Sequence, residues 1–297
     1  EWYILPDGKR GMTAPPAHLR PEPDHVFNQQ DLIDHIEDFD LVVLCSPRDY
    51  AMAGMRSLKE IHRPLPPVIV MNTEDYGWSS IDEELKRKLD PIAYFKRELD
   101  HEIPGVYPLP FGAFIDAYPD VDDTQKRYSV YAAFGNTWPI RLELLKRLAD
   151  MNLPDAYLGT NTEHIPHGYE GRIQTLQSFD DYMRGMAQAK ITFVVRGFGR
   201  DTLRSSEAPA FETCVFWVES GIIYPHPYED RVHVVKFDES LNGLEGLIEY
   251  YLSHDEERQI IATSGKTHCR TYHTTQARAE YLLEIAEAAI SKKLARR

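Results

Sequence analysis

The sequence predicts two successive α/β domains, each a parallel sheet covered by helices on both faces. Three observations carry that expectation. Short, continuously apolar runs recur along the chain, separated by stretches of helical character, and such runs mark strands buried on both sides. The alternation stops once, at "AFIDAYPDVDDTQKRY", which is rich in Pro and Asp and has no apolar period, and then restarts. The length of 297 residues, with 42% hydrophobic and 27% charged content, suits two domains with sizeable cores.

The elements follow in order. In the first unit, "WYIL" (2–5) is the first strand and "DLVVLCS" (40–46) the second, after the amphipathic "QDLIDHIEDF". "PPVIVMN" (66–72) is the third strand, "IAYFKRE" (92–98) the fourth after the charged helix "SIDEELKRKL", and "VYPLPFG" (106–112) closes the set. In the second unit, "SVYAAFGN" (129–136) is a strand and its turn. "PIRLELLKRLADM" is a helix with Pro139 in its first turn, where a missing N–H costs little. "DAYLGT" (155–160), "KITFVVRG" (190–197), "CVFWVES" (214–220) and "RVHVVKF" (231–237) are strands, and "SFDDYMRGMAQA" is a helix between them. The long stretches starting at "LEGLIEYYL" and "TQARAEYLL" are the closing helices. The expected division is 1–115, 116–275 and a last helix, 276–297, that crosses back to the first domain. Each unit is Rossmann-like and doubly wound, so ligands belong beyond the C-terminal ends of the strands. The turns after "AAF", "FVV" and "VIV" are therefore where chemistry is to be sought.

Composition removes several function classes. The net charge is −14, from 33 basic and 47 acidic residues, a field that disfavours general nucleic-acid binding but permits a local basic pocket. Three cysteines, Cys45, Cys214 and Cys269, without zinc spacing fit reduced thiols in a cytosolic setting. No apolar run approaches the roughly 20 residues of a membrane span. "EWYILPDGKR" lacks the basic leader and long apolar stretch of a secretory signal. The basic "SKKLARR" complements a helix C-terminus.

Two turns hold candidate binding residues. Gly135, Asn136 and Thr137 join a strand to a helix that carries Arg141 one turn in. This is a place for an anion, or equally a helix capped by Asn136 or Thr137. In "RGFGRDTLRSSEA", Arg196, Arg200 and Arg204 fall four apart, with Gly197 and Gly199 between them and Glu207 after. Guanidinium forks match phosphate oxygens and glycines let backbone approach closely. The same residues also read as an ion-pair network with Asp201, Glu207 and Glu212. In "MNTEDYGWSS", Glu74 or Asp75 would take the proton from an acceptor hydroxyl, or would cap the turn and helix there. Other motifs are weaker. "SGKT" (264–267) lacks the first glycine and the preceding strand of a phosphate loop, "DVD" (120–122) lies in the linker, and His164 and His167 have no third metal ligand. His268, Cys269 and His273 read as packing at a hinge.

From about Tyr128 to Leu283 the chain resembles the C-terminal, nucleotide-binding domain of GT-B glycosyltransferases, nearest to the family-1-like group of spore-protein and capsule-type sugar transferases. The residues that carry this are the "FGN…R" turn, "RGFGRDTLRSSEA", "FDESLNGLEGLIEYYLSHDEERQIIATSG" with Arg258, Ala262 and Gly265 in the group's places, and "YHTTQARAEYLL". The first domain resembles the group only in its alternation and in "AYFKRE…PLPFG". The resemblance implies a GT-B fold with two domains facing a cleft. It matches Glu207 to the acid that contacts the nucleotide ribose or donor sugar, Arg196 and Arg204 to positions near the diphosphate, and Gly135 and Asn136 to the first turn. Many retaining members carry two glutamates separated by seven residues. Gly199 stands where the first would be, so stereochemistry is not carried over.

The expected function is transfer of a sugar from a nucleotide-diphosphate donor, a UDP-sugar by family habit, to an acceptor hydroxyl in the cleft. Arg196, Arg200 and Arg204 supply the positive charge, so no metal or other cofactor is expected. The alternatives are a nucleotide-sugar epimerase, a transferase acting on modified DNA bases, and a non-catalytic two-lobed binding protein.

Overall fold

The computed structural model describes residues 2–3, 26–27, 33–45, 65–74, 87, 90–176 and 178–295. It contains two parallel α/β sheets, as the alternation of apolar runs requires. The first joins β3 (Val42–Cys45), β4 (Val68–Asn72), β5 (Ala93–Lys96) and β6 (Val106–Pro108) in that order, all parallel. Upstream, β1 (Trp2–Tyr3) and β2 (Val26–Phe27) form their own parallel pair. The second sheet is built from β7 (Tyr128–Ala133), β8 (Tyr157–Thr160), β9 (Gln174–Thr175), β10 (Ala189–Val194), β11 (Cys214–Val218) and β12 (Val235–Phe237). Its spatial order is β9-β8-β7-β10-β11-β12. Counted within the domain this is 3-2-1-4-5-6, the dinucleotide-binding order, whose direction reverses between β7 and β10.

The helices of this domain are α1 (Pro139–Asp150), α2 (Phe179–Ala187), the short α3 (Arg204–Glu207), α4 (Leu244–Ser253) and α5 (Asp255–Tyr272). Alternate strand residues face opposite ways. Val130, Ala132, Ile191, Phe193 and Phe216 pack with Leu144 and Leu148 of α1, Ile248 of α4 and Ile261 of α5. Tyr131, Ala133, Val194, Val215 and Trp217 pack with Met183 and Met186 of α2 and Cys269 of α5. Two apolar faces on one sheet account for the unbroken apolar runs in the sequence.

The final helix, α6 (Thr275–Leu294), leaves the second domain and lies on the first. Leu282 and Ala286 bury against Ile69, Ala93 and Phe95. Thr274 starts it, its side chain accepting from Ala277 N–H at 3.0 Å. The crossing back runs beside the crossing over. Ala113 N–H donates to His273 O (2.7 Å), and Thr275 N–H donates to Ala113 O (3.0 Å). Gly112 permits this approach, because a Cβ there would lie 2.8 Å from Thr275 N.

Some local readings differ from the structure. "RVHVVKF" supplies only the three residues of β12. Arg231 takes φ 57° and its N–H donates to Val234 O, so the residues before Val235 form a turn. β9 is a two-residue edge strand, both of its side chains exposed, without an apolar run to announce it. Of "QDLIDHIEDF", the described part is helical at Ile33 and Asp34, then a turn at His35 and a 3-10 segment at Ile36–Asp38. "SIDEELKRKL" lies outside the described residues apart from Arg87.

Candidate active site

The strand order reverses between β7 and β10, and in folds of this order ligands bind beyond the C-terminal ends of the strands at that point. After β7 the chain turns through Gly135 into α1. A Cβ on Gly135 would lie 3.1 Å from Asn161 Oδ1, after β8. The N-cap of α1 is Trp138, with extended backbone and no side-chain cap, and Pro139 follows. Neither Asn136 nor Thr137 caps the helix, contrary to the capping alternative, so its first N–H groups carry no side-chain partner.

Arg141 ties the two turns together. Its Nε donates to Arg196 O (2.8 Å), Nη1 to Gly135 O (3.1 Å) and Nη2 to Val195 O (3.4 Å). Burial, then Arg204, pushes its pKa down to about 10, which leaves it a cation at neutral pH. Gly197 fits because it has no side chain: a Cβ would lie 2.9 Å from Arg141 Nη2 and 3.0 Å from Thr137 Oγ1. Gly135, Thr137, Arg141, Arg196 and Gly197 are thus brought to one place.

The three arginines have three different surroundings. Arg196 stacks on Trp138, 3.9 Å from the ring centroid. Arg204 is buried between the rings of Phe134 (4.7 Å) and Tyr182 (4.8 Å) and donates to Ala133 O. Arg200 turns to the other domain and pairs with Asp100 at 3.5 Å. Buried polar atoms at this end of the sheet without a hydrogen-bond partner include Arg196 Nε, Arg204 Nη1 and Thr160 Oγ1. A buried donor without a partner is expensive in a protein that binds nothing there.

Glu207, at the end of α3, accepts from Tyr182 O–H at 3.0 Å. Burial raises its carboxyl, and Arg204 and the Tyr182 hydrogen bond oppose the rise. The ion-pair network of the alternative reading is not what forms. Asp201 accepts from Phe111 N–H (2.7 Å) and Tyr224 O–H (3.3 Å), and Glu212 accepts from Gln259 and Thr263.

In the first domain, Glu74 follows β4 with its side chain exposed. Its backbone N–H donates to Asn72 Oδ1 (3.0 Å), so the side chain that shapes this turn is that of Asn72. Asp75 lies outside the described residues. Beside this turn are residues that sequence reasoning left unassigned. Lys96, Arg97 and Glu98 are all buried as β5 ends. Burial lowers the Lys96 ammonium, while Glu74, Glu98 and Asp100 pull it back up. Three consecutive charges closing an apolar strand were the available signal for them. Tyr182 and Trp138 carried no comparable signal, since an aromatic on a helix or in a turn reads as packing.

The discounted motifs stay out of the site. "SGKT" is mid-helix in α5, and Lys266 pairs with Asp123 (2.8 Å) of the linker. Among the described residues, no group of three or more His, Cys, Asp or Glu could hold a metal ion, and no helix is long and apolar enough to cross a membrane.

Residues 141–284 match the family profile described as glycosyl transferase-like. No curated protein matches the sequence. Several solved structures share the fold at low identity. A glycosyltransferase from Rickettsia africae superposes with a TM-score of 0.65 at 10% identity, over 88% of this chain and 80% of that one. Anabaena HepE in complex with UDP gives 0.62 at 12%, over 92% and 86%. An alpha-glucosyltransferase in complex with UDP and a 13-mer DNA containing an HMU base gives 0.59 at 12%, over 89% and 86%. Residues 141–284 are thus similar to a glycosyl transferase-like domain, and the chain as a whole shares the two-sheet α/β fold of these glycosyltransferase structures.

Proposed function

We propose that this enzyme moves a sugar from a UDP-sugar to an acceptor hydroxyl between its two domains. The observation that carries the reading is the gathering of Arg196, Gly197 and Gly135 around Arg141 where the sheet order reverses, with Glu207 and Arg204 both held by Tyr182 nearby. HepE, similar in fold, has structures with UDP and with UDP-glucose. The acceptor oxygen forms a bond to the sugar's anomeric carbon as the bond from that carbon to the diphosphate breaks, and the bond electrons leave with UDP. Negative charge therefore grows on the diphosphate, and Arg196 with the uncapped start of α1 stabilises it. Glu207, held by Tyr182, accepts hydrogen bonds from ribose or sugar hydroxyls. The hydroxyl proton goes to a base, the role this reading gives to Glu74 at the end of β4. The net charge of −14 argues against DNA as acceptor.

The test is titration with UDP and a panel of nucleotide sugars, followed by assay of UDP release with candidate acceptors. Glu207→Ala is expected to lose donor binding or turnover, at least about tenfold for a lost charged contact, while melting as a folded protein. Undiminished turnover would remove Glu207 from the site. Binding of nucleotide sugars without any UDP release would favour a binding protein.

A further inference from the structure

We propose that Arg97 is a positioning residue that sets the separation between the acceptor-side loop after β4 and the arginine-bearing loop after β10. The proposal rests on the donor-site reading above. Arg97 leaves β5 of the first domain and is 3% exposed. Its guanidinium reaches two loops that belong to different domains. Nε donates to Thr73 O at 3.0 Å, beside Glu74. Nη1 donates to Asp201 O at 3.1 Å, in the loop that carries Arg196 and Arg200. The planar fork holds these two donors at a fixed angle, so two carbonyls bonded to it are fixed relative to each other.

Three more contacts stiffen the arrangement. Arg97 lies over the Phe111 ring at 4.4 Å from its centroid. Phe111 N–H donates to Asp201 Oδ2 at 2.7 Å, which closes a circuit from Arg97 through Asp201 to Phe111 and back. Asp201 N–H donates to Glu98 Oε1 at 3.0 Å, so adjacent residues of β5's exit hold both sides of one residue's backbone. A lysine has the charge but a single nitrogen on a flexible stem, and cannot reproduce the fork.

The experiment compares Arg97→Lys with the wild-type chain by amide hydrogen exchange and by UDP titration. Faster exchange is expected in both segments, residues 71–74 and 196–203, with the β7–β10 strands unchanged. UDP affinity is expected to fall about tenfold, the scale of one charge-assisted hydrogen bond. A purely structural role would lower the melting temperature and leave UDP affinity alone. Unchanged exchange in 196–203, or faster exchange in 71–74 alone, would overturn the proposal. If the wild-type chain binds no UDP, the donor reading fails, while the exchange comparison still decides the role of Arg97. If Arg97→Lys does not fold, Phe111→Leu decides it: loosening of 196–203 supports the proposal and wild-type exchange there overturns it.

Discussion

At the scale of single residues, Asp201 is the most informative titrating group. Burial pushes its carboxyl up to about 7 from 3.8, against the Phe111 N–H and Arg97, which pull it down. The folded chain therefore holds this proton more tightly than the unfolded chain. Below about pH 4 both forms are protonated and the stabilisation is complete; it is lost as pH rises toward 7, and is constant above. Asp201→Asn removes the titration. Between pH 5 and pH 8 the wild-type chain should lose about 2–3 kcal/mol relative to the variant, measured as the change in the difference of melting temperatures. A difference that stays constant with pH would mean the carboxylate is ionised throughout. Both proteins share His273, which burial, Arg278 and His268 hold down at about 2, so its contribution cancels. Tyr182→Phe should weaken UDP-sugar binding several-fold by removing the O–H that orients Glu207, and an unaltered titration would show that Glu207 needs no such support. Residue identity was legible where chemistry is local: Gly197, Arg204 and Glu207 stand out in one short turn. Which way each arginine points was not, because Asp100 and Tyr182 come from distant segments.

At the scale of elements, the helices that pack on the second sheet are fixed by close approaches. Gly185 of α2 lies against the Tyr131 ring, which an added Cβ would meet at 2.1 Å. Gly265 of α5 lies against His233 O, at 2.3 Å from the same hypothetical atom. Alanine would raise helix propensity at either site by up to about 1 kcal/mol, yet overpacking costs about 1–3 kcal/mol. Gly185→Ala is therefore expected to lower the melting temperature, the rigid ring and helix having no slack. A neutral or stabilised variant would show that α2 can slide. Most elements were readable because a strand buried on both faces must be continuously apolar. The exceptions obey the same rule: β9 is exposed, and β12 is cut short by a turn that turn residues did not advertise.

At the scale of the whole molecule, the two domains are bound to each other by more than the linker. Ile223, after β11, packs into the apolar cluster of Val70, Tyr94, Leu99 and Val106, and its N–H donates to Leu99 O at 2.7 Å. α6 covers Ile69, Ala93 and Phe95 from the other side. A chain ending at Thr274 should expose that face, bind a hydrophobic dye and aggregate, and a monomeric, dye-free product would show the first sheet to be self-sufficient. That two parallel sheets follow one another along the chain was visible in the sequence, since the apolar rhythm breaks once and restarts. The contacts across the cleft were not, because they join Arg97 to Asp201 and Phe111 to Asp201 over long separations. The paired crossings at Ala113 and Thr274 have a mechanical consequence. Two strands of chain laced side by side behave like the spine of a book. Sliding one crossing past the other would break both backbone hydrogen bonds of Ala113, so displacement along that line is resisted.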